Sequence, residues 1–385
     1  VKTTGDQQLV KRINRSVLLR LLRAQPGLSR AQLAAESGLT KSTVSLLVRA
    51  LIDENWLNET SVTAASGMGR PSTPLRIDNR SRGLVGVEVA VEALRVVAVS
   101  LAGQVLWAVE EPLSSTNPDA VCTQTARMVV RANAQLVSRN VQLSGVGVSL
   151  PGAFDEASGL VRFAPNLGWR NVDFLSQLRQ ALAQANLPDV AVHVQNEADT
   201  AALSEYEFSE GEAKDSLIFV TCGAGVGAGI VLNDRLFTGQ QGMAGEIGHS
   251  ILQMDGPLCS CGRRGCAEAF FGARALGTMP EPQQGGHYLG VVLHNLWTTF
   301  NPSVMVVGGP SCDKYPQIFH VAEATLRAYA ASADMPAPVV RPARYGLLAS
   351  AVGAAALVLH HFLRPMHSGS PHLPLTAAMA SATCY

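Results

Sequence analysis

The stretch GMAGEIGHSILQMDGPLCSCGRRGCAE, residues 242–268, constrains the fold more than any other part of the chain. It carries His249, Cys259, Cys261 and Cys266, one imidazole and three thiols in a short span. Tetrahedral zinc takes that ligand set at bond lengths of roughly 2.0–2.3 Å. Gly262 and Gly265 fall where the chain must turn tightly to bring the sulfurs round one ion. A closed shell of three thiolates and one imidazole leaves no position for water, so the spacing predicts one structural zinc per chain and no hydrolytic one. The other reading is a chance cluster of reduced cysteines, and three thiols so close together argue against it. Glu246 and Glu268 stand around the ligands without being needed by the metal. They are expected to accept hydrogen bonds from hydroxyl groups of a ligand held beside the loop.

Taken whole, the pattern G-x-x-G-E-x-G-H followed by C-x-C-G-x-x-G-C-x-E resembles the ROK family of bacterial sugar kinases and sugar-responsive repressors. The resemblance implies an α/β, two-lobed fold like that of actin and hexokinase (ribonuclease H-like), with the zinc loop shaping a sugar pocket between the lobes. Which branch of the family is present depends on the rest of the chain.

A chain of 385 residues is long enough for two or three domains and a large core. Its formal net charge of +0 hides an asymmetry: up to Arg80 there are twelve basic residues against six acidic ones, and the remainder carries the opposite excess. A basic module fused to an acidic body points to nucleic acid. Seven cysteines, three of them in metal-like spacing, do not suit a disulfide framework, so a reducing compartment is expected. No charged start leads into an apolar signal core, and no apolar run approaches the roughly twenty residues of a membrane span. A cytoplasmic location without membrane attachment is the expectation.

Working outward to the N-terminal end, Val10, Ile13, Val17, Leu18, Leu21 and Leu22 recur at helical spacing up to Pro26 and Gly27. Ser29 has the features of an N-cap for 30–37, with Gln32 completing a capping box, and Gly38 makes a turn. Thr40 then caps a helix to about Asp53, with Val44, Leu47, Val48 and Leu51 inward. This is a helix-turn-helix whose second helix carries hydroxyl and basic groups suited to phosphates and base edges. Arg30, Thr40, Lys41, Ser42, Thr43, Ser45 and Arg49 are the candidate DNA contacts. A small three-helix bundle that binds protein is the alternative, disfavoured by charge, capping and register. Strands near Leu57 and 75–77 flank a tip that resembles the wing of a winged helix, where Arg70 either enters a minor groove or is a solvated loop charge.

The expected domains are 1–80 for the winged helix-turn-helix and 81–364 for the ROK body, with the zinc loop at 249–266 and a disordered tail at 365–385. In the body, an antiparallel meander over 84–109 stands where family kinases place an Asp-x-Gly-Gly-Thr phosphate loop. This chain has Glu88-Val89-Ala90-Val91-Glu92 instead, and without glycines the backbone cannot approach a phosphate closely. Pro151-Gly152, Gly159, Asn166 and Trp169 match one wall of the family's sugar pocket. Asn166 is the preferred contact there, since an amide both donates and accepts, with a turn-forming role as the alternative. In Asn196-Glu197-Ala198-Asp199, the acid after Asn is Glu where family kinases use Asp as general base, a change that binding tolerates better than catalysis. Asp199 is expected only to start a helix. The resemblance thus gives Asn166, Asn196, Glu197, Glu246, His249 and Glu268 as sugar contacts and no catalytic residue. The glycine-rich 223–229 is similar to the family's second phosphate loop, but close strand packing explains it as well and is favoured. Pro310 stands after Gly308-Gly309 in place of a small residue. A helix is expected over 267–276, and His360 and His361 are expected on a helix surface.

These readings describe a homodimer or dimer of dimers that binds operator DNA and a sugar or sugar derivative, a transcription factor that represses carbohydrate genes without phosphorylating the sugar. One rival is an active ATP-dependent sugar kinase with an accessory DNA-binding head. Another is a repressor controlled by a transport protein.

Overall fold

The computed structural model describes residues 7–60, 73–187, 189–209 and 216–365. Three helices, α1 (Gln7–Ala24), α2 (Arg30–Ser37) and α3 (Lys41–Asp53), precede a two-stranded antiparallel ribbon of β1 (Leu57–Glu59) and β2 (Leu75–Ile77). The capping box of α2 is formed, with the Gln32 side chain accepting from the Ser29 amide at 2.9 Å. Gly38 ends the helix in the left-handed conformation, φ 69°. Thr40 Oγ1 accepts from the Thr43 amide at 3.2 Å and starts α3. Local hydrogen bonds therefore fix the turn between the two helices, and each cap contributes about 1 kcal/mol. Val44, Leu47, Val48 and Leu51 pack with Leu18, Leu22, Leu33 and Leu75 as the core of this head. The tip carrying Arg70 lies outside the described residues, as does the tail beyond Pro365.

The first lobe comprises β3 (Arg82–Val89), β4 (Ala93–Ser100), β5 (Val105–Pro112), α4 (Pro118–Val137), β6 (Gln142–Leu150), β7 (Ala153–Asp155), β8 (Leu160–Ala164), β9 (Trp169–Val172), α5 (Phe174–Gln184), β10 (Val192–Asn196) and α6 (Glu197–Glu207). Its main sheet has the order β10-β6-β3-β4-β5: an antiparallel meander extended by two parallel strands. The side chains of α4 and α5 cover one face. β7, β8 and β9 form a separate antiparallel sheet, too short for alternation to mark them in the sequence.

The second lobe contains β11 (Ser216–Cys222), β12 (Val226–Leu232), β13 (Arg235–Leu236), α7 (Glu268–Phe271), α8 (Ala273–Thr278), α9 (Gln284–Phe300), β14 (Val304–Gly308), α10 (Pro310–Lys314), α11 (Gln317–Ser332), β15 (Val339–Pro342) and α12 (Ala349–Leu363). Its sheet has the order β13-β12-β11-β14-β15. The single helix expected over 267–276 is two, broken where Gly272 takes extended backbone (φ −64°, ψ 163°).

α12 returns to lie between the lobes, against α6 and the strands β3 and β6. Residues 346–363, with mean hydropathy 1.7, have the length and composition of a membrane span, but two-thirds of the segment is buried in the core. Gly86 of β3 lies against Ala351 O, Gly147 of β6 against Ala354 O, and Gly353 of α12 against Thr200 O of α6, so the backbones approach closely. The expectation that His360 lies on a helix surface fails for the same reason: α12 is packed on that side too. His360 is buried with Nδ1 2.7 Å from Glu207 Oε1, and His361 is half-buried, stacked on His193 at 4.2 Å.

The head docks on this helix. Trp56 stacks on Phe362 of α12 with centroids 4.0 Å apart, and Arg82 lies 4.7 Å from the Trp56 centroid while donating to Glu54 O at 2.7 Å.

Candidate functional site

His249 closes a 3-10 turn (Ile247–His249), and the three cysteines lie in an irregular loop held by bridges between Ile251 and Cys266 and between Leu258 and Arg264. One ligand atom from each of His249, Cys259, Cys261 and Cys266 lies within 4.8 Å of every other. Cys259 Sγ is 3.8 Å from His249 Nδ1, and Cys261 Sγ is 3.7 Å from Cys266 Sγ. A zinc tetrahedron has edges of about 3.5–3.8 Å, so the two close pairs already have its spacing and the donor set as a whole could hold one metal ion.

The cleft beside this loop is built on the junction of β10 and α6. Asn196 caps α6, with Oδ1 accepting from the Ala198 amide at 2.7 Å. Its Nδ2 donates to Gly152 O and to Glu197 Oε2, both at 2.8 Å. Glu197 is pushed up to about 8, first by burial and then by the charges of Glu246 and Glu88. Asp199, in the same first turn, is 3% exposed and raised well above the usual carboxylate range by burial and by Glu197 and Glu246. Glu246, although solvent reaches it, is raised as well, by desolvation and by Glu268, against the opposing effect of His249. Glu197, Asp199 and Glu246 are therefore near enough for their charges to act on one another from the two lobes.

β12 is the reason they meet. On one side Gly245 (φ 84°) lies so close to Ala228 O that any side chain there would collide, and Ala228 N donates to Gly245 O at 2.8 Å. On the other, Gly229 lies against Ala198 O in the same way. The strand is thus held between the segment leading into the cysteine loop and α6, which brings Glu246 towards Glu197. Glu268 opens α7, accepting from Ser260 Oγ at 2.8 Å and from the Val226 amide at 3.4 Å. Asn166 is exposed on the 3-10 turn Pro165–Leu167 and makes no hydrogen bond to this group among the described residues. Its turn follows Phe163 and Ala164, whose backbone packs on Gly152, the acceptor of Asn196. Trp169 does not line the cleft: it is buried against Phe174, and its Nε1 donates to Thr116 O at 2.6 Å.

The β3–β4 turn is fastened by Ala90 N donating to Ala93 O at 2.9 Å, and Glu88 is paired with Arg95 at 3.2 Å. Burial raises the Glu88 carboxyl although Arg95 opposes it. In the 223–229 segment Gly223 N donates to Gly225 O at 2.9 Å. Packing requires Gly229, whereas an added Cβ at Gly223 or Gly225 would meet only ordinary contacts of 3.4 Å, with Pro310 and Glu268 respectively.

On the head, Lys41, Ser42, Ser45 and Arg49 are exposed along α3, and Thr43 is half-buried. The Thr40 hydroxyl is spent locally, 2.8–2.9 Å from those of Thr43 and Ser42. Arg30 pairs with Glu59 of β1.

Other basic residues counted towards the positive head prove to be structural. Arg15 pairs with Glu54, Arg23 Nη1 lies 2.7 Å from Glu207 Oε2, and Arg20 Nη2 lies 2.5 Å from Asp234 Oδ2. Arg364 joins both acids, at 2.7 Å to Glu207, and Tyr206 donates to Asp234 at 2.8 Å. Burial alone would raise Glu207, but Arg364, Arg23 and the His360 hydrogen bond hold it well below the usual range. No local pattern could have revealed this cluster, since Arg23 and Glu207 are 184 positions apart.

A helix-turn-helix fused to a two-lobed, kinase-like body with a thiol-imidazole cluster defines the class, and comparison with known proteins agrees. The ROK family model matches residues 84–285, and an IclR helix-turn-helix model matches 16–61. The chain belongs to the ROK family. It is 30% identical over 387 residues to the xylose repressor of Bacillus subtilis, covering 93% of this chain and 98% of that one. Among solved structures, a ROK family transcriptional regulator described as a homolog of the Escherichia coli MLC protein superposes with a TM-score of 0.74 at 23% identity, over 92% of this chain and 97% of that one. The ROK hexokinase of Thermus thermophilus superposes with a TM-score of 0.60 at 26% identity, over 71% and 97%.

Proposed function

We infer that this chain is a sugar-responsive, DNA-binding transcriptional repressor of carbohydrate-utilisation genes, acting in the cytoplasm as a homodimer on a pseudo-palindromic operator. The observation that carries the reading is the union of a DNA-reading head with a kinase-like body in which Glu88, paired with Arg95 at 3.2 Å, stands where family kinases place a glycine-rich phosphate loop. Residues 1–80 form the head and 81–364 the effector-binding body.

Asn166, Asn196, Glu197, Glu246, His249 and Glu268 hold the sugar, offering an amide, carboxylates and one imidazole nitrogen to its hydroxyl groups. A zinc ion held by His249, Cys259, Cys261 and Cys266 has a closed shell and serves to rigidify the loop that carries them. With Nδ1 turned to Cys259, His249 keeps its other ring nitrogen for the sugar.

The two functions are joined by one helix. α6 starts at Glu197 in the cleft and ends, 11 residues long, at Glu207, which pairs with Arg23 of the head. That is roughly 16 Å of rigid backbone. A sugar that shifts the lobes around Glu197 shifts the head's anchorage, and linkage requires DNA affinity to change by the same differential free energy, typically about 1–3 kcal/mol.

One observation favours the second reading, an active kinase. Glu197 at about 8 has the elevated affinity for protons found in general bases. Phosphoryl transfer, however, depends on positioning and neutralising phosphate charge, and Glu88 and Glu92 put carboxylates where family kinases have their first phosphate loop.

The test is fluorescence anisotropy of operator DNA with the full chain, titrated with a panel of sugars. D-xylose comes first because of the relative's name. A sugar that changes DNA affinity, together with no turnover of that sugar with ATP and magnesium, is the expected result. Turnover at the ordinary rate of about 1–1000 per second would place the chain among the kinases.

A further inference from the structure

α3 shows one face to the core of the head and the other to solvent. Val44, Leu47, Val48 and Leu51 are at most 5% exposed, while Lys41, Ser42, Ser45, Leu46 and Arg49 are exposed. Leu46 does not belong with that polar set. It is 71% exposed, whereas Leu18, Leu19, Leu22, Leu33 and Leu51 in the same head are at 0–1%. It stands one turn after Ser42 and one turn before Arg49, in the middle of the outward face, with hydrogen-bonding side chains on either side.

A face with Lys41, Arg49 and two serine hydroxyls is complementary to phosphates and base edges. An isobutyl group at the centre of such a face is placed to meet an apolar group on that same surface. The major-groove edges of DNA offer one apolar group, the C5 methyl of thymine. We propose that Leu46 is a specificity-determining residue that reads one thymine methyl in each operator half-site. The inference rests on the reading of the head as a DNA-binding module and adds to it the base that α3 selects. Lys41 and Arg49 anchor the helix to the backbone, and Ser42 and Ser45 reach polar edges of the neighbouring bases.

Duplexes selected by the full chain from a random pool supply the probe, and each dT in the selected site is replaced in turn by dU. That change removes the methyl and leaves every hydrogen-bonding group in place. Wild type is expected to lose about fourfold in affinity at one symmetry-related position per half-site, and about fifteenfold when both half-sites are changed, as for one buried methyl each. Leu46→Ala binds the parent duplex more weakly and is indifferent to dU at that position, while Leu46→Met, which keeps apolar reach, retains the sensitivity. Because Leu46 is exposed, both variants fold.

A dU scan that is flat for wild type, or one that affects Leu46→Ala as strongly as wild type, overturns the proposal and leaves DNA binding intact. Sedimentation showing that Leu46→Ala dissociates the oligomer while keeping the dU response overturns it in favour of a protein contact. Failure to select any duplex overturns both this inference and the DNA-binding reading beneath it.

Discussion

Arg23 of the DNA-reading head places Nη1 2.7 Å from Oε2 of Glu207, the last residue of the helix that Glu197 begins. Glu207 is 2% exposed and also holds Arg364 and His360, so the head is tied to a charge buried in the body. Arg23→Met keeps the length of the side chain and removes the tie. The expected outcome is unchanged sugar affinity with a much smaller sugar-induced change in DNA affinity, measured by anisotropy with and without sugar. An unchanged response would show that coupling travels by another route.

Zinc analysis of the purified protein should give one ion per chain. Cys261→Ser removes an exposed ligand without opening the core, and is expected to lose the metal, lower Tm by several degrees and weaken sugar binding. Chelation of wild type should produce the same changes. Retained zinc and retained sugar affinity in Cys261→Ser would exclude the ligand set.

Two glutamates on one helix give opposite pH signatures. Glu197 is raised by burial to about 8, so the folded state holds its proton more tightly, and stability is lost as pH rises from about 4.5 through about 8. Glu197→Gln should therefore raise Tm at pH 8.5 and leave it nearly unchanged at pH 4. Glu207 is depressed by Arg364 and Arg23 despite its burial, so its contribution is present above about pH 4.5 and lost as pH falls. Glu207→Gln should lower Tm at pH 7, by about 2–4 °C for each kcal/mol lost, and matter less in acid. Tm against pH for the three proteins decides both signs.

DNA affinity should fall steeply with salt, because lysines and arginines that meet phosphates release counterions. Lys41→Ala and Arg49→Ala should each weaken binding to all sequences and reduce the slope of log affinity against log salt by about 1. Arg15→Ala, whose guanidinium is engaged with Glu54, should leave that slope unaltered. Equal slopes in all of them would remove α3 from the interface.

What the sequence determined by itself was local. The head was legible because Ser29, Gln32, Gly38 and Thr40 act on amides within three or four residues of themselves, so their roles do not depend on the rest of the fold. The thiol-imidazole cluster was legible because four ligands within 249–266 can meet round one point however the lobes pack, and Asn196-Glu197 was legible as the start of a helix at the end of a strand. Tertiary structure decided everything that depends on distant partners. His360 has no sequence neighbour that would bury it, and it is inside because α12 returns between two sheets and meets Glu207, 153 positions away. Arg20 and Arg23 count towards the positive charge of the head in the sequence, and only the fold shows that Asp234 and Glu207 claim them. The affinity of Glu197 for a proton belongs to no single stretch of chain. It follows from desolvation and from the charges of Glu246 and Glu88, and only the packing of β12 between α6 and the segment leading into the cysteine loop brings Glu246 within range.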